Sequence, residues 1–370
     1  MRQHLGYALL SATAVLGACK KEVEKIVVQD RQYSWRPAVQ YAGTLNIFLG
    51  IGQGPDGLYL QQPGSFLTLE QSGGRVVEQL YTAPVTSDVN VHLPIGPNFF
   101  ATYIDHDSVV YVIPNKYATT SQFFRRIHLK NLDPQARQVA APGYSFMQTG
   151  VINPSSYLLV GYLTNYLYND NAMHLLLAQV PPFDRATQFA PLPLPTPRVI
   201  TIPIVGYPAY PSYPTYLAAI DSYFLVDCGE QGVYRLEENG TYRQVLSGRQ
   251  YVTSFYKWKG RVYAHTSDGK VGISNNDGLT WQFNSLPTRS LSFNTMYAIG
   301  DSLVGVYRGY GGGLFTLQWN GQGARLRQLK DDGLNRADVT GLEVWRDTVY
   351  LATTGGLFKR SRKEFFESQP

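Results

Sequence analysis

Trp258-Lys259-Gly260-Arg261-Val262-Tyr263-Ala264-His265 runs through Ser267-Asp268-Gly269 into Val271-Gly272-Ile273. A polar pair, an alternating run of β-branched and aromatic residues, an Asp-Gly turn and a second apolar run spell a β-hairpin. The order returns at 300–317, turning at 310–313, and at 346–359, turning at Thr354-Gly355. Weaker copies lie at 221–236 (turning at 228–231), 156–177, 107–129 and 45–60 (turning at 53–56). That makes seven copies, a few tens of residues apart, room for about four short strands each.

A sheet of four antiparallel strands has two faces to bury. Repeated around a ring, such sheets cover one another and leave few open edges. Strands buried on both faces also explain continuous apolar runs such as Tyr157-Leu158-Leu159-Val160. The fold expected is an all-β propeller of seven blades over 26–370, with six or eight as the alternatives. An apolar stretch from Ile26 to Trp35 either supplies a strand that closes the ring near Phe365-Phe366 or is a linker.

Composition agrees. The 370 residues are 44% hydrophobic and only 16% charged, with Gly 35, Pro 22 and Tyr 27 raised together. That mix excludes a coiled coil, a helical bundle and an acidic disordered chain. The net charge of +5 is spread thinly, without a basic block, so no nucleic-acid partner is expected.

The first eighteen residues have the parts of an export signal: Arg2 and His4, an apolar run over 5–15, then Leu16-Gly17-Ala18. The run is too short to span a bilayer, which takes about 20 residues. Leu16-Gly17-Ala18-Cys19 resembles the bacterial lipobox. The resemblance implies removal of 1–18 and lipidation of Cys19, palmitate included, with 19–25 as a charged tether. Lys20 after that Cys implies, by the same likeness, the outer membrane rather than the inner. The alternative is an ordinary secretory signal. With Cys19 lipidated, Cys228 has no partner in the chain. No later apolar run is long enough to cross a membrane, so a lipid anchor is the expected membrane contact.

Ser274-Asn275-Asn276-Asp277-Gly278-Leu279-Thr280-Trp281 resembles the Asp box of sialidase-type (BNR) propellers, with Asn276 where that family usually has Asp. Ser274, Asn276, Asp277, Gly278, Thr280 and Trp281 are its structural residues. The polar side chains bond the backbone of a tight turn, and Gly278 accepts a positive φ. The hairpins ending in Gly-Leu-Phe are similar to photosynthesis-stability-factor-like propellers.

Composition shifts within 181–216, which holds ten prolines and the run Tyr207-Pro208-Ala209-Tyr210-Pro211-Ser212-Tyr213-Pro214-Thr215-Tyr216. Proline donates no ladder bond, so an extended, polyproline-like insertion is expected there, in a gap long enough for an extra strand pair. The Tyr rings either form a ledge for a sugar or peptide or lie flat over a strand edge.

The hairpin turns are expected to converge on one mouth of the channel. They carry Gln53 and Asp56, Asn115 and Lys116, residues 165–170, Asp227 and Glu230, Ser267 and Asp268, Arg308 and Tyr310, and Thr354. Tyr166, Asn169, Asp170, Asp227, Glu230, Arg308 and Tyr310 are the candidate ligand-facing residues; the alternative is that they are solvated turn residues. No convincing catalytic set appears. The sialidase likeness would require an arginine triad, and Arg125-Arg126-Ile127-His128 is the nearest match to its early motif but lacks the proline. Six dispersed His residues give no metal-binding spacing, and Asp105-His106-Asp107 reads as a turn. Cys228 reads as a small turn residue. The reading is a monomeric, cofactor-free, lipid-anchored envelope propeller that acts as a binding or assembly scaffold for an envelope protein or glycan. A glycan-active enzyme working at the channel mouth is the alternative.

Overall fold

The computed structural model describes residues 33–38, 47–54, 57–72, 75–81, 91–103, 108–114, 124–139, 147–148, 150–164, 171–181, 195–204, 214–250, 252–285, 295–307, 313–319, 324–334 and 337–368. Within the unit Ser34–Pro370 these residues are nearly all strand. The helical exceptions among them are one turn at Arg362–Phe365 and short 3-10 turns at Leu129–Asn131 and Gly229–Gln231.

Seven antiparallel sheets follow one another as blades. Blade 1 is Gly50–Gln53, Gly57–Gln62, Ser65–Ser72 and Arg75–Tyr81. Blade 3 is Gly150–Ile152, Tyr157–Leu163, Ala172–Gln179 and Thr196–Pro203. Blade 4 is Tyr216–Ile220, Tyr223–Asp227, Gly232–Glu237 and Tyr242–Ser247, and blade 5 is Val252–Trp258, Arg261–Thr266, Lys270–Ser274 and Gln282–Ser285. Blade 6 is Thr295–Ile299, Ser302–Tyr307, Gly313–Trp319 and Ala324–Gln328.

Blade 2 is less regular. Phe99–Thr102, Val109–Pro114 and Arg125–His128 form its ladder. Its axis-side position is taken by 91–95, where Ala101 N–H donates to the Pro94 carbonyl at 3.0 Å and Ile95 bridges Phe100. Val91–His92 also runs parallel to Met147–Gln148, just ahead of the first strand of blade 3, so neighbouring inner strands share one direction.

Blade 7 closes the ring. Val339–Trp345, Thr348–Thr353 and Gly356–Ser361 come from the end of the chain, and Arg36–Pro37 adds the outermost strand by pairing with Lys359 and Phe358. Closure is therefore made by a two-residue strand just after the 26–35 stretch; 26–32 lies outside the described residues. Trp35 is buried, meets Phe365 edge-on at 5.9 Å, and donates its indole N–H to the Lys330 carbonyl at 3.0 Å.

Each seam between blades has its own apolar cluster, because alternate residues of a strand face opposite neighbours. Leu58, Leu60, Leu67 and Leu69 of blade 1 pack on Trp345, Tyr350 and Leu357 of blade 7. On the opposite face of the same strands, Tyr59 and Phe66 turn to Phe100 and Ile113 of blade 2. The remaining five seams are filled the same way. Each fully buried Leu, Val, Ile or Phe contributes about 1.5–3 kcal/mol, so the seams supply the main cohesion of the ring.

The proline-rich stretch differs from expectation. Thr196–Pro203 forms a full fourth strand, with Pro197 opposite Ala178 and Pro203 opposite Ala172. It is the outer edge of blade 3, where a missing N–H disrupts no further ladder. The Tyr-Pro repeat over 205–213 lies outside the described residues.

Candidate functional site

Strand direction alternates, so turns between second and third strands open on one face of the ring. Turns between first and second, and between third and fourth, open on the other. The connections at 164–171, 228–231, 267–269, 308–312 and 354–355 join second to third strands. Two others break the expected convergence. Gln53 lies at the turn from first to second strand in blade 1, and the strand ending at Pro114 is third in its blade. Both hairpins sit one strand out of phase with the other five. The cause in blade 2 is its first strand, short and interrupted by Pro94, which carries little periodic signal.

Two of the seven candidate ligand-facing residues are described, and they differ sharply. Asp227 is fully buried. Its carboxylate accepts the N–H of Gly229 at 3.1 Å and the N–H of Val252 at 2.9 Å, the second on the first strand of blade 5. Burial pushes its pKa up to about 6 against these bonds and one from Thr215. Asp227 is thus a latch between blades 4 and 5 and does not face a ligand. Glu230, three residues on, is exposed and paired with Arg249 at 2.8 Å. Tyr166, Asn169, Asp170, Arg308, Tyr310, the 105–107 turn and Cys19 lie outside the described residues. Cys228 is buried with its Sγ 3.5 Å from Met173 Sδ, and burial pushes its thiol pKa well up, so it is a poor nucleophile.

The 274–281 turn joins the third and fourth strands of blade 5 and takes up its polar groups internally. Gly278 N–H donates to Ser274 Oγ at 2.9 Å, and Thr280 N–H donates to Asn276 Oδ1 at 2.9 Å. Asp277 and Gly278 both have positive φ, 54° and 80°. The Trp281 indole donates to the Gly278 carbonyl at 3.0 Å, and its ring lies 6.1 Å from that of Phe255. Lys257 bridges Asp277 to Asp221, and Arg235 donates to the Asp277 carbonyl while lying 3.8 Å over the Tyr223 ring. The turn is therefore wired into blade 4.

On the same face, across the rim of blade 6 from Trp258 of blade 5 to the C-terminal turn, a cleft of about 320 Å³ is lined by Trp258, Asp301, Thr316, Gln318, Arg327 and Phe366. The indole N–H of Trp258 is buried and, among the described residues, without an acceptor. Lys259 sits 4.7 Å over the Trp258 ring and 3.6 Å from Asp301. Arg327 is steadied by donating to Ser368 Oγ at 2.8 Å. A guanidinium, an amide and two aromatic walls can hold a polar group against an apolar one. The sequence hid the cleft because its residues come from four strands and the C-terminal turn. The one local signal was a bulky aromatic followed by a cation at a turn, seen again as Trp345-Arg346 with the guanidinium 5.2 Å over the ring.

The fold and these sites define a seven-bladed β-propeller with a turn-face cleft. No family model matches the chain, and no curated protein matches it. Among solved structures it is similar to a catalytically inactive virginiamycin B lyase from Staphylococcus aureus with quinupristin, at 12% identity and a TM-score of 0.55, covering 89% of this chain and 98% of that one. The propeller domain of Cps50 (Swd1) from Myceliophteria thermophila gives 10% identity and 0.55, covering 88% and 98%. The computationally designed Ika8 protein gives 12% and 0.52, covering 88% and 99%. At these identities the likeness is one of fold.

Proposed function

We propose that this chain is an envelope lipoprotein, lipidated on Cys19 and held at the outer membrane, whose propeller serves as a non-catalytic binding or assembly scaffold. The observation that carries the scaffold reading is the Trp258 cleft: a preformed groove with a fixed guanidinium and an amide between two aromatic walls. The lipobox-like 16–19 supports the anchor. The hydrogen bonds of the 274–281 turn support its reading as an Asp box that braces blade 5.

Two measurements test the proposal. Palmitate labelling should mark the wild type and vanish in Cys19→Ser; label that persists in the variant overturns the anchor. The mature domain should retain an envelope partner that Arg327→Ala with Gln318→Ala loses and exposed Lys363→Ala keeps. If no partner is retained, or the cleft variant retains it equally, the scaffold reading fails.

A further inference from the structure

We propose that Asn239 is a modification site, its side-chain amide carrying an N-linked sugar chain on the turn between the third and fourth strands of blade 4. The turn reads Glu237-Glu238-Asn239-Gly240-Thr241. Asn-x-Ser/Thr with a middle residue other than proline is the acceptor pattern for N-glycosylation. An acid two residues ahead, here Glu237, completes the longer acceptor pattern used in bacteria. The sequence holds one other such triplet, Asn153-Pro154-Ser155, and its proline closes it.

The fold separates the two asparagines further. Asn153 is fully buried, and its Nδ2 is spent on Glu238 Oε1 at 2.7 Å. Asn239 and Thr241 are both exposed. Thr241 donates twice to Asn239 Oδ1, from its backbone N–H at 2.9 Å and from its hydroxyl at 2.7 Å. This is an Asx turn, and it leaves Asn239 Nδ2 without a hydrogen-bond partner among the described residues. The backbone is pinned as well. Gly240 N–H donates to the Glu237 carbonyl at 2.9 Å, and Arg198, on the fourth strand of blade 3, donates to the Asn239 carbonyl at 2.5 Å. Gly240 has a φ of 87°, so the middle residue is one the turn itself requires.

The donor is a glycan carried on a polyisoprenyl pyrophosphate, brought by a transferase on the far side of the membrane. Nδ2 attacks the anomeric carbon, a C–N bond replaces the C–O bond to the pyrophosphate, and the pyrophosphate leaves as an anion. The proton lost from Nδ2 passes to a base of the transferase. Charge then gathers on Oδ1, where both Thr241 donors already point. A sugar chain leaving this exposed residue displaces no buried side chain. The proposal rests on the export reading of 1–18, and neither on Cys19 nor on the Trp258 cleft.

The test is mass spectrometry of the full chain isolated from the envelope of its own cell. The peptide spanning Asn239 should be heavier by a glycan, with sugar fragments and the added mass on that asparagine. Asn239→Gln should lose the added mass. Thr241→Ala, which keeps the amide and the backbone donor but not the hydroxyl, should lose it too, whereas Thr241→Ser should retain it. A wild-type peptide of bare mass overturns the proposal, and does so alone if palmitate still labels Cys19. A glycan that persists in Thr241→Ala, or that sits on another residue, also overturns it. A chain retained in the cytoplasm overturns it together with the export reading.

Discussion

Single buried carboxylates give this ring a pH response of definite sign. Glu343, on the first strand of blade 7, is partly buried, and loss of water pushes its pKa up to about 7 against a bond from its neighbour Val344. Asp227 is pushed up to about 6. In both, the folded state holds a proton that the unfolded chain has released, so stability falls as pH rises between the unfolded and folded values. For Asp227 that window ends near pH 6; for Glu343 it extends to about 7. The melting temperature should therefore drop between pH 6 and pH 8, and Glu343→Gln should flatten that drop while melting higher than the wild type at pH 8. A variant that keeps the full wild-type slope contradicts the assignment.

Among the elements, the least conspicuous strand has the largest topological role. Arg36–Pro37 is two residues long and contains a proline, so its local pattern is that of a breaker, yet it completes blade 7. What holds it is Trp35, locked between Phe365 and the Lys330 carbonyl, with Ser34 N–H donating to Asp332. Trp35→Ala should cost about 3–5 kcal/mol in denaturant unfolding, as for other buried tryptophans. Exposed Tyr33→Ala should cost almost nothing. A loss under 1 kcal/mol at Trp35 would show that the ring does not depend on this closure. The same blind spot explains blade 2, whose first strand holds Pro94: prolines mask strands that tertiary pairing nonetheless recruits. By contrast the hairpins at 258–273 and 346–359 were legible, because alternation and Asp-Gly or Thr-Gly turns are properties of chain neighbours.

At the scale of the ring, glycine–isoleucine contacts set how closely the inner strands approach. A Cβ on Gly341 would lie 2.6 Å from Ile51, one on Gly52 would lie 2.4 Å from Ile95, and one on Gly96 would lie 2.7 Å from Ile152. Three successive seams, from blade 7 to blade 3, thus seat the isoleucine of one blade in the gap left by the glycine of the preceding one. Gly52→Ala should destabilise by about 1–3 kcal/mol through overpacking. Adding Ile95→Ala should cost less than its effect in the wild type, since the pair shares one space. Strict additivity in that double-mutant cycle counts against the contact.

Periodicity two, regular turn spacing and a low charge content were enough to establish an all-β chain of seven hairpin units, since each reflects interactions among residues close in sequence. The phase of each hairpin within its blade, the burial of Asp227 and the cleft at Trp258 became visible only in the folded ring. They arise at seams, where partners are far apart in the chain: Thr340 donates to the Phe48 carbonyl across 292 positions. Local patterning dictates which strands form, but which neighbour a side chain meets follows from closing the circle.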